Sequence, residues 1–367
     1  MSRVSWTVRA LLVGWGLVAC SPAASPVSNP TPMAAPVAQA RPQLNVGITN
    51  TFSLVPLWVA QQNGLFEKYG VSVNLVTEQG GPANALPAVL NGNYLAWEGG
   101  TDSFMIFCAR LPKPCPLVSA AAATNTPDTA LFARPTFAYQ QPSDLRGKTI
   151  GILNKGSLTD YVMSAWLKQN NLVSGQDVQV RSMGGIQATI AALEQGAADA
   201  VTITPPQTFA MQAEGMVQLV DFNRDVAPYQ TSISIVRRQS VIDERASLVA
   251  LNKGMYEGLV LARTNKTAGL GAAAVYSGIS DTTVLGQAYD DTMPLLLDRP
   301  YHSVDGVQHV INILESLPKE TYDIPFTPDT KPQDFFSDQI SQELDSAGFF
   351  DQVDKQYGYT PRKNPAT

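Results

Sequence analysis

Histidine and cysteine are scarce in this sequence, and basic residues never cluster. The 367 residues include two histidines and three cysteines, although nucleophilic triads and metal sites most often draw on these side chains. We therefore expect no catalytic residue, no metal and no cofactor, and we expect His302 and His309 to be surface or packing residues. Since only 15% of the residues are charged and no basic run occurs, no nucleic-acid partner is expected.

The sequence also lacks an apolar run of the ~20 residues that a membrane-spanning helix needs. A shorter apolar stretch, residues 10–19, follows Arg3 and Arg9 and ends in Leu-Val-Ala before Cys20. This arrangement is typical of a signal peptide over residues 1–19. The last four residues resemble the lipobox of bacterial lipoproteins, which implies a diacylglyceryl group on Cys20 and stable membrane anchoring. An ordinary signal peptide with an incidental Cys20 is the alternative.

Residues 20–42 follow as a segment rich in proline, alanine and serine, without charge before Arg41. Such a composition cannot bury enough apolar surface to fold, so it predicts an extended tether. The chain from residue 43 onward exceeds the ~250 to 300 residues at which a single core usually divides. Two domains are therefore expected.

Strands and helices alternate through most of this part, which predicts an α/β fold. Leu44, Val46 and Ile48 alternate as a strand, and a helix is predicted from Pro56 to about Phe66. A second series of strands and helices begins with residues 144–148. From about Val241 onward the apolar spacing becomes helical, which predicts a helical C-terminal part.

Three segments of the sequence resemble one family of proteins. They are PLWVAQQNGLFEKYGV at residues 56–71, DLRGKTIGI at residues 144–152 with Gly156-Ser157 after it, and AALEQGAADAV at residues 191–201. In this order they resemble substrate-binding proteins for sulfonates, taurine and thiamine-pyrimidine precursors. The resemblance implies a two-lobed type II periplasmic binding protein fold with a ligand cleft between the lobes.

The resemblance also implies a domain plan. Lobe I would comprise residues 43–135 plus 232–351, and lobe II would comprise residues 136–231. The chain would cross between them near residues 134–137 and 229–232. Residues 352–367 would form a tail that is frayed from Pro361 onward.

The function implied by the resemblance is that of an extracytoplasmic, membrane-anchored substrate-binding lipoprotein of an ABC importer. Its partners would be a small-molecule ligand, the permease and the ATPase subunits, and the protein itself would be a monomer. An enzyme of another class is the main alternative, because pyrimidine synthases share this superfamily. They carry a cysteine-rich motif and an active-site histidine that this chain lacks. A sensory lipoprotein is a third possibility.

The expected cleft lies beyond the carboxyl ends of the strands, where helix N-termini present free N–H groups. Phe52 and Trp97 are the candidates for ring stacking there. Capping of helices alone would also explain several of the polar residues, and core packing is favoured for Tyr161 and Trp166. The candidate ligand-binding residues are Asn50, Thr51, Phe52, Trp97, Thr101, Asp102, Ser103, Gly156, Ser157, Thr159 and Thr204.

The charges at these turns favour a neutral, planar heterocycle such as riboflavin or a thiamine-type pyrimidine. The turns contain Glu98, Asp102 and Asp160 but only one cation, Lys155, and carboxylates repel an anion while accepting hydrogen bonds from ring N–H groups. An alkanesulfonate, taurine or nitrate is the alternative, because backbone and hydroxyl donors at residues 156–159 can also bind an anion.

Cys108 and Cys115 remain once Cys20 is assigned to lipid. They flank a turn with Pro112 and Pro114, and an oxidising compartment would favour a disulfide between them. Two buried free thiols are the alternative, because sequence separation does not establish the required Cα distance.

Overall fold

The computed structural model describes residues 41–49, 51–78, 81–317, 319 and 324–362. The signal peptide, Cys20 and nearly all of the predicted tether lie outside the described residues. Residues from Arg41 onward form one compact unit. Within the described ranges, no helix combines the length and apolar character that crossing a bilayer would take.

Ten strands and several helices build this unit. The strands are β1 Gln43–Ile48, β2 Ser72–Thr77, β3 Ala96–Gly100, β4 Leu117–Ala122, β5 Ala130–Ala133, β6 Thr149–Ile152, β7 Gln179–Ser182, β8 Ala200–Ile203, β9 Val217–Asp221 and β10 Ser232–Arg237. The helices up to β10 are α1 Val55–Gln62, α2 Leu65–Lys68, α3 Pro82–Leu90, α4 Thr101–Ala109, α5 Leu158–Gln169, α6 Ile186–Glu194, α7 Gln207–Ala213 and α8 Phe222–Asp225. Those after it are α9 Ser240–Asp243, α10 Arg245–Thr264, α11 Lys266–Ser277, α12 Thr282–Thr292, α13 Val304–Ser316, α14 Gln339–Ser346 and α15 Phe349–Tyr357.

The strands form two five-stranded mixed sheets, one in each lobe. The first sheet has the order β2-β1-β3-β10-β4, in which β10 runs antiparallel to both neighbours. The second has the order β7-β6-β8-β5-β9, in which β5 is the antiparallel strand. Helices follow the parallel strands β1, β2, β3, β6, β7 and β8. The predicted two-lobed α/β class with a helical C-terminal part is confirmed.

The first crossing between the lobes differs from the predicted one. β5 pairs with β8 and β9 in the second sheet, so the chain leaves the first sheet between Ala122 and Ala130, before residues 134–137. Lobe I therefore ends earlier than the predicted residue 135. The second crossing follows β9 and leads into β10, which begins at Ser232.

The prediction of a tail is also wrong for residues 352–362. Phe350 and Val353 on α15 are buried, and beyond this helix the Tyr359 hydroxyl donates to Asp298 Oδ1 at 2.7 Å. The guanidinium of Arg362 also pairs with Asp298, at 3.2 Å. The sequence did not reveal this contact because the partners lie about sixty residues apart along the chain.

The helical C-terminal part packs mainly on lobe I. α10 lies against α1, and a Cβ atom on Gly258 would lie 2.1 Å from the carbonyl oxygen of Pro56. Only glycine allows the two helices to approach this closely. The helices after β10 thereby extend the core of the first lobe and reach the rim of the space between the lobes.

Cys108 and Cys115 form a disulfide, with their Cα atoms 5.3 Å apart. It joins the last turn of α4 to the segment before β4. The structure thus contains the bonded alternative of the two that the sequence left open.

Candidate functional site

A cavity of about 530 Å³ lies between the two lobes. Lobe I contributes residues at the carboxyl ends of its parallel strands, with Thr49 after β1, Glu78 after β2 and Gly99 in β3. Lobe II contributes Leu153 after β6 and Thr204 after β8. Both lobes thus meet at the place where open α/β sheets bind ligands, in a cavity of ordinary ligand size.

Glu98 is one of two deeply buried carboxylates in the cavity lining. Its residue is 4% exposed, and the hydroxyl of Ser234 on β10 donates to Oε1 at 2.7 Å. Burial raises the pKa of Glu98 to about 7, although the Ser234 hydrogen bond acts in the opposite direction. Near neutral pH this side chain can therefore either accept a hydrogen bond as a carboxylate or donate one as an acid.

Asp102, at the start of α4, has both carboxylate oxygens engaged inside the protein. The Ser103 hydroxyl donates to Oδ1 at 2.9 Å, and the Tyr229 hydroxyl donates to Oδ2 at 3.0 Å. Burial raises the pKa of Asp102 despite these hydrogen bonds. Because Tyr229 belongs to the second crossing, its hydrogen bond with Asp102 links the cavity wall to the connection between the lobes.

The described residues of the lining include no lysine, arginine or histidine, although they include Glu78, Glu98 and Asp102. Lys155, the cation expected here, lies outside the lining and pairs with Asp160 at 3.5 Å. Glu78 accepts a hydrogen bond from the Tyr94 hydroxyl at 3.1 Å. The described part of the cavity wall thus has an excess of acceptors over cationic donors.

A row of hydroxyl groups crosses the lobe I wall. The Oγ1 atom of Thr51 lies 2.8 Å from the Oγ atom of Ser53, which lies 3.0 Å from the Oγ atom of Ser232. A hydroxyl can rotate to donate or accept. This row can therefore adapt to either kind of polar group on a ligand.

Trp97 lines the cavity, and its indole N–H is buried. The residue is 1% exposed and its Nε1 atom has no hydrogen-bond partner among the described residues. The ring lies so close to Gly99 that a Cβ atom there would be 2.3 Å from it. Glycine at this position lets the indole lie flat along the strand, beside the cavity.

The structure brings most of the predicted binding residues together. Asn50 lies outside the described residues. The predicted residues that line the cavity are Thr51, Trp97, Asp102, Ser103, Ser157, Thr159 and Thr204.

Phe52, Thr101 and Gly156 do not line the cavity. Phe52 is completely buried and packs edge-on against Trp58, with ring centroids 6.0 Å apart, because the helical turn Phe52–Leu54 directs it into the core. The Thr101 hydroxyl donates to the Thr231 carbonyl at 3.1 Å. The Gly156 N–H donates to Asp160 at 2.8 Å, so it stabilises the turn before α5.

The structure also shows the local contacts of other residues that the sequence analysis singled out. Tyr161 and Trp166 are buried in the core, as favoured above. The N-cap residue of α4 is Gly100, which has no side chain to cap the helix. The N-cap residue of α5 is Ser157, and its side chain forms no capping hydrogen bond. Instead, the Oγ1 atom of Thr159 accepts a hydrogen bond from the Leu153 N–H at 3.1 Å.

One face of α10 closes the cavity, and the sequence reasoning missed it. Asn252, Met255, Tyr256 and Leu259 all line the wall. Their spacing of three, four and seven residues marks a single helix face. That spacing was the available signal, but it does not distinguish a face that borders a ligand cavity from one that packs in the core.

A Ser–His–Asp arrangement lies elsewhere in the fold. The Nε2 atom of His302 is 2.6 Å from the Ser119 hydroxyl, and its Nδ1 atom is 2.6 Å from Asp338. A nucleophilic serine needs a neighbouring space for its substrate. Ser119 is 1% exposed and does not line the cavity between the lobes. The arrangement therefore joins β4 to the C-terminal segment, while His309 contacts the Pro228 carbonyl at 2.7 Å.

Comparison with known proteins identifies relatives in sequence. The sequence model of the family described as NMT1/THI5 like matches residues 51–265. YtlA of Bacillus subtilis (strain 168), which is named as a candidate binding protein, is 24% identical over 214 residues. That alignment covers 57% of this chain and 63% of YtlA.

Solved structures share the fold. The periplasmic aliphatic sulphonate-binding protein SsuA of Escherichia coli is 20% identical, with a TM-score of 0.65 over 78% of this chain and 96% of its own. The periplasmic nitrate-binding protein NrtA of Synechocystis PCC 6803 is 14% identical, with a TM-score of 0.68 over 83% and 88%. The desulfurization enzyme DSZB is 17% identical, with a TM-score of 0.62 over 84% and 100%. The fold is therefore shared by binding proteins and by at least one enzyme.

Proposed function

The chain belongs to the NMT1/THI5-like family, and from this premise we propose that it is the substrate-binding lipoprotein of an ABC importer. It captures a small organic nutrient outside the cytoplasm and delivers it to a permease that is driven by ATPase subunits. The observation that carries the proposal is the cavity of about 530 Å³ whose walls come from both lobes. The names of SsuA and NrtA support a binding role for this fold.

The proposed mechanism is closure of the two lobes around the ligand. A ligand that touches both Glu98 on lobe I and Thr204 on lobe II would favour the closed arrangement, because it gains both sets of contacts only there. The hydrogen bond from Tyr229 to Asp102 supports coupling between the cavity and the second crossing.

The proposed ligand is a planar heterocyclic vitamin or precursor, either riboflavin or a thiamine-type pyrimidine. The carboxylates and hydroxyls of the described lining can accept hydrogen bonds from ring N–H groups and from ligand hydroxyls. The free indole N–H of Trp97 can donate to a ring nitrogen or carbonyl. These groups would orient the ring by hydrogen bonds along its edge.

An alkanesulfonate, taurine or nitrate is the second candidate. It is favoured by the start of α5, where Ser157 and Thr159 line the cavity beside free backbone N–H groups. The three carboxylates of the described lining count against it, since they would repel an anion.

A pyrimidine-synthase-like enzyme or a sensory lipoprotein is the alternative from another class. The fold shared with the enzyme DSZB is the observation that favours an enzyme. The described lining, however, holds neither the histidine nor the cysteine that a nucleophilic mechanism most often uses. A sensory role would use the same cavity without a permease.

The ligand is tested by calorimetric titration of the purified protein with riboflavin, formylaminopyrimidine, thiamine, taurine and nitrate. We expect the tightest binding from a heterocycle, and mass spectrometry of the recovered ligand should show it unchanged. Tight binding of taurine or nitrate alone would overturn the ligand class. Conversion of the ligand would overturn the binding-protein class.

A matched pair of variants tests the site. Trp97→Phe removes the indole N–H beside the cavity but keeps an aromatic ring, and we expect it to weaken heterocycle binding about tenfold. Trp58→Phe is the control, because Trp58 is equally buried with an unpartnered Nε1 atom but lies outside the lining. Equal effects of the two changes would contradict the site.

The proposed localisation rests on the N-terminal sequence. Replacement of Cys20 by alanine should release the protein from the membrane fraction while ligand affinity stays the same. Mass spectrometry that finds an unmodified Cys20, or an intact bond between residues 19 and 20, would contradict lipid anchoring.

A further inference from the structure

A second cavity, of about 240 Å³, lies where the first crossing, lobe II and the C-terminal part meet. Its walls come from three parts of the fold. Asp128 and Thr129 belong to the first crossing, Thr208 and Asp221 belong to lobe II, and Thr292 ends α12 in the C-terminal part. Asp291 and Gln218 at its rim are exposed, so a solute can reach it from solvent.

The described lining of this cavity holds carboxyl groups but no cation. Arg224 acts on Asp221 from outside the lining and pairs with Asp225 at 2.8 Å. Burial and the nearby Asp221 charge raise the pKa of Asp128 to about 7. Asp128, Asp221 and Asp291 line the cavity, and the described lining includes no lysine, arginine or histidine. None of the ion pairs found between described residues includes any of these three aspartates. A cationic occupant would therefore be attracted.

Two of the aspartates are held close together by Asn223. The Asp128 N–H donates to the side-chain oxygen of Asn223 at 2.7 Å, and the Asn223 N–H donates to Asp221 Oδ1 at 3.0 Å. Asp221 and Ala130 are also paired between neighbouring strands. The two carboxylates thus share one wall of the cavity.

Three buried hydroxyl groups around the same cavity lack hydrogen-bond partners. Thr129, Thr208 and Thr292 are 1%, 5% and 1% exposed, and the Oγ1 atom of each is unpaired among the described residues. A buried hydroxyl without a partner costs free energy. Three of them around one cavity point to an occupant with hydrogen-bonding groups.

The form of the cavity favours an organic cation over a metal ion. In the part of the chain that the structure describes, no three carboxylate, histidine or cysteine side chains come together as a metal site requires. Part of the lining is apolar, since Pro205, Phe209 and Leu295 contribute to it. An occupant with a charged end and a short hydrocarbon end matches both kinds of wall.

We propose that this second cavity binds a small alkylammonium cation, with the ammonium group against Asp128 and Asp221 and the alkyl group against Phe209 and Leu295. The three unpaired threonine hydroxyls then act as acceptors for N–H groups of the occupant or of waters that accompany it. This site is separate from the cleft, and the proposal does not depend on the function proposed for the cleft.

The test is an NMR titration of the full-length protein with propylammonium, with 1-propanol as the neutral analogue and Ca²⁺ as the metal probe. We expect saturable shifts with propylammonium that are confined to the residues of the second cavity, and no such shifts with 1-propanol. Saturable binding of 1-propanol at equal strength, binding of Ca²⁺ alone, or no saturation with any probe would overturn the proposal.

Two variants locate the charge. Asp128→Asn and Asp221→Asn should each weaken propylammonium binding about tenfold or more, whereas Asp305→Asn, at an exposed aspartate on α13, should leave it unchanged. Asparagine suits both positions, because Asp128 has a φ of 47° that asparagine tolerates and Asp221 is an N-cap. Thermal melts verify folding, and unchanged affinity in both folded variants would overturn the proposal.

Discussion

The buried side chain of Glu98 in the cleft should make the free energy of unfolding depend on pH. The pKa of Glu98 is raised from 4.5 to about 7, so the folded state holds this proton more tightly than the unfolded state does. The raised pKa therefore does not affect the free energy of unfolding well below pH 4.5. It lowers this free energy progressively between pH 4.5 and pH 7, and by a constant amount of about 3 kcal/mol above pH 7.

We predict that Glu98→Gln stabilises the protein more at pH 8 than at pH 5, because glutamine cannot ionise and can still accept from Ser234. Chemical denaturation at both pH values measures the difference. Glu194→Gln, at an exposed site on α6, is the control and should show the same small effect at both. An equal gain for Glu98→Gln at both pH values would contradict the prediction.

Buried hydroxyl groups offer a second comparison of single residues. The hydroxyl of Thr202 has no partner within the described structure, whereas that of Thr159 accepts from the Leu153 N–H and lies 2.8 Å from the Ser157 hydroxyl. We predict that Thr202→Val stabilises the protein by about 1 kcal/mol and that Thr159→Val destabilises it by about 1 to 2 kcal/mol. Denaturant unfolding measures both, and a destabilised Thr202→Val would show that its hydroxyl is satisfied.

At the scale of helices, the contact between α1 and α10 depends on one glycine. We predict that Gly258→Ala destabilises the protein by about 1 to 3 kcal/mol, because the added Cβ atom meets backbone that cannot move freely. Gly286→Ala on α12 is the matched control, since nothing lies within 4 Å of its added Cβ atom. That change should instead stabilise by about 0.5 to 1 kcal/mol through helix propensity. If both substitutions changed the free energy of unfolding in the same direction, this would contradict the close contact.

The strands and helices show where sequence reasoning succeeds and where it stops. The alternation of Leu44, Val46 and Ile48 predicted β1, and the helix predicted from Pro56 to about Phe66 corresponds to α1 and the start of α2. β4 and β5 were missed because each contains alanine, which has little strand preference and weakens the pattern. β5 consists of Ala-Leu-Phe-Ala, and its omission moved the predicted lobe boundary too far along the chain.

The sequence predicts which residues lie near the cavity where strand order decides their position. It does not predict which side chains face the cavity where the direction of the side chain decides it. Residues after parallel strands had to meet at one edge of each sheet, and the structure places Thr51, Asp102, Ser157 and Thr204 in the cavity lining. Whether a side chain at such an edge points outward depends on its local turn, which sent Phe52 into the core. The α10 face at Tyr256 depends on how helices far along the chain fold back, which periodicity alone does not specify.

At the scale of the whole molecule, the proposed function predicts a change of shape. We expect the radius of gyration from small-angle X-ray scattering to fall when the protein is saturated with its tightest ligand from the calorimetric screen. The reason is that a bridging ligand gains the contacts of both lobes only when they close. An unchanged radius at saturation would contradict closure.

The position of β1 in the first sheet has a practical consequence. Its carboxyl end reaches the cleft at Thr49, while Gln43 begins the strand about 20 Å away at the opposite edge. A sensor surface coupled at Arg41 would therefore hold the folded unit by the edge remote from the cleft. A fluorescent reporter coupled there would lie at the same edge. Immobilisation at Arg41 would thus leave the cavity between the lobes at the end of β1 that faces the sample.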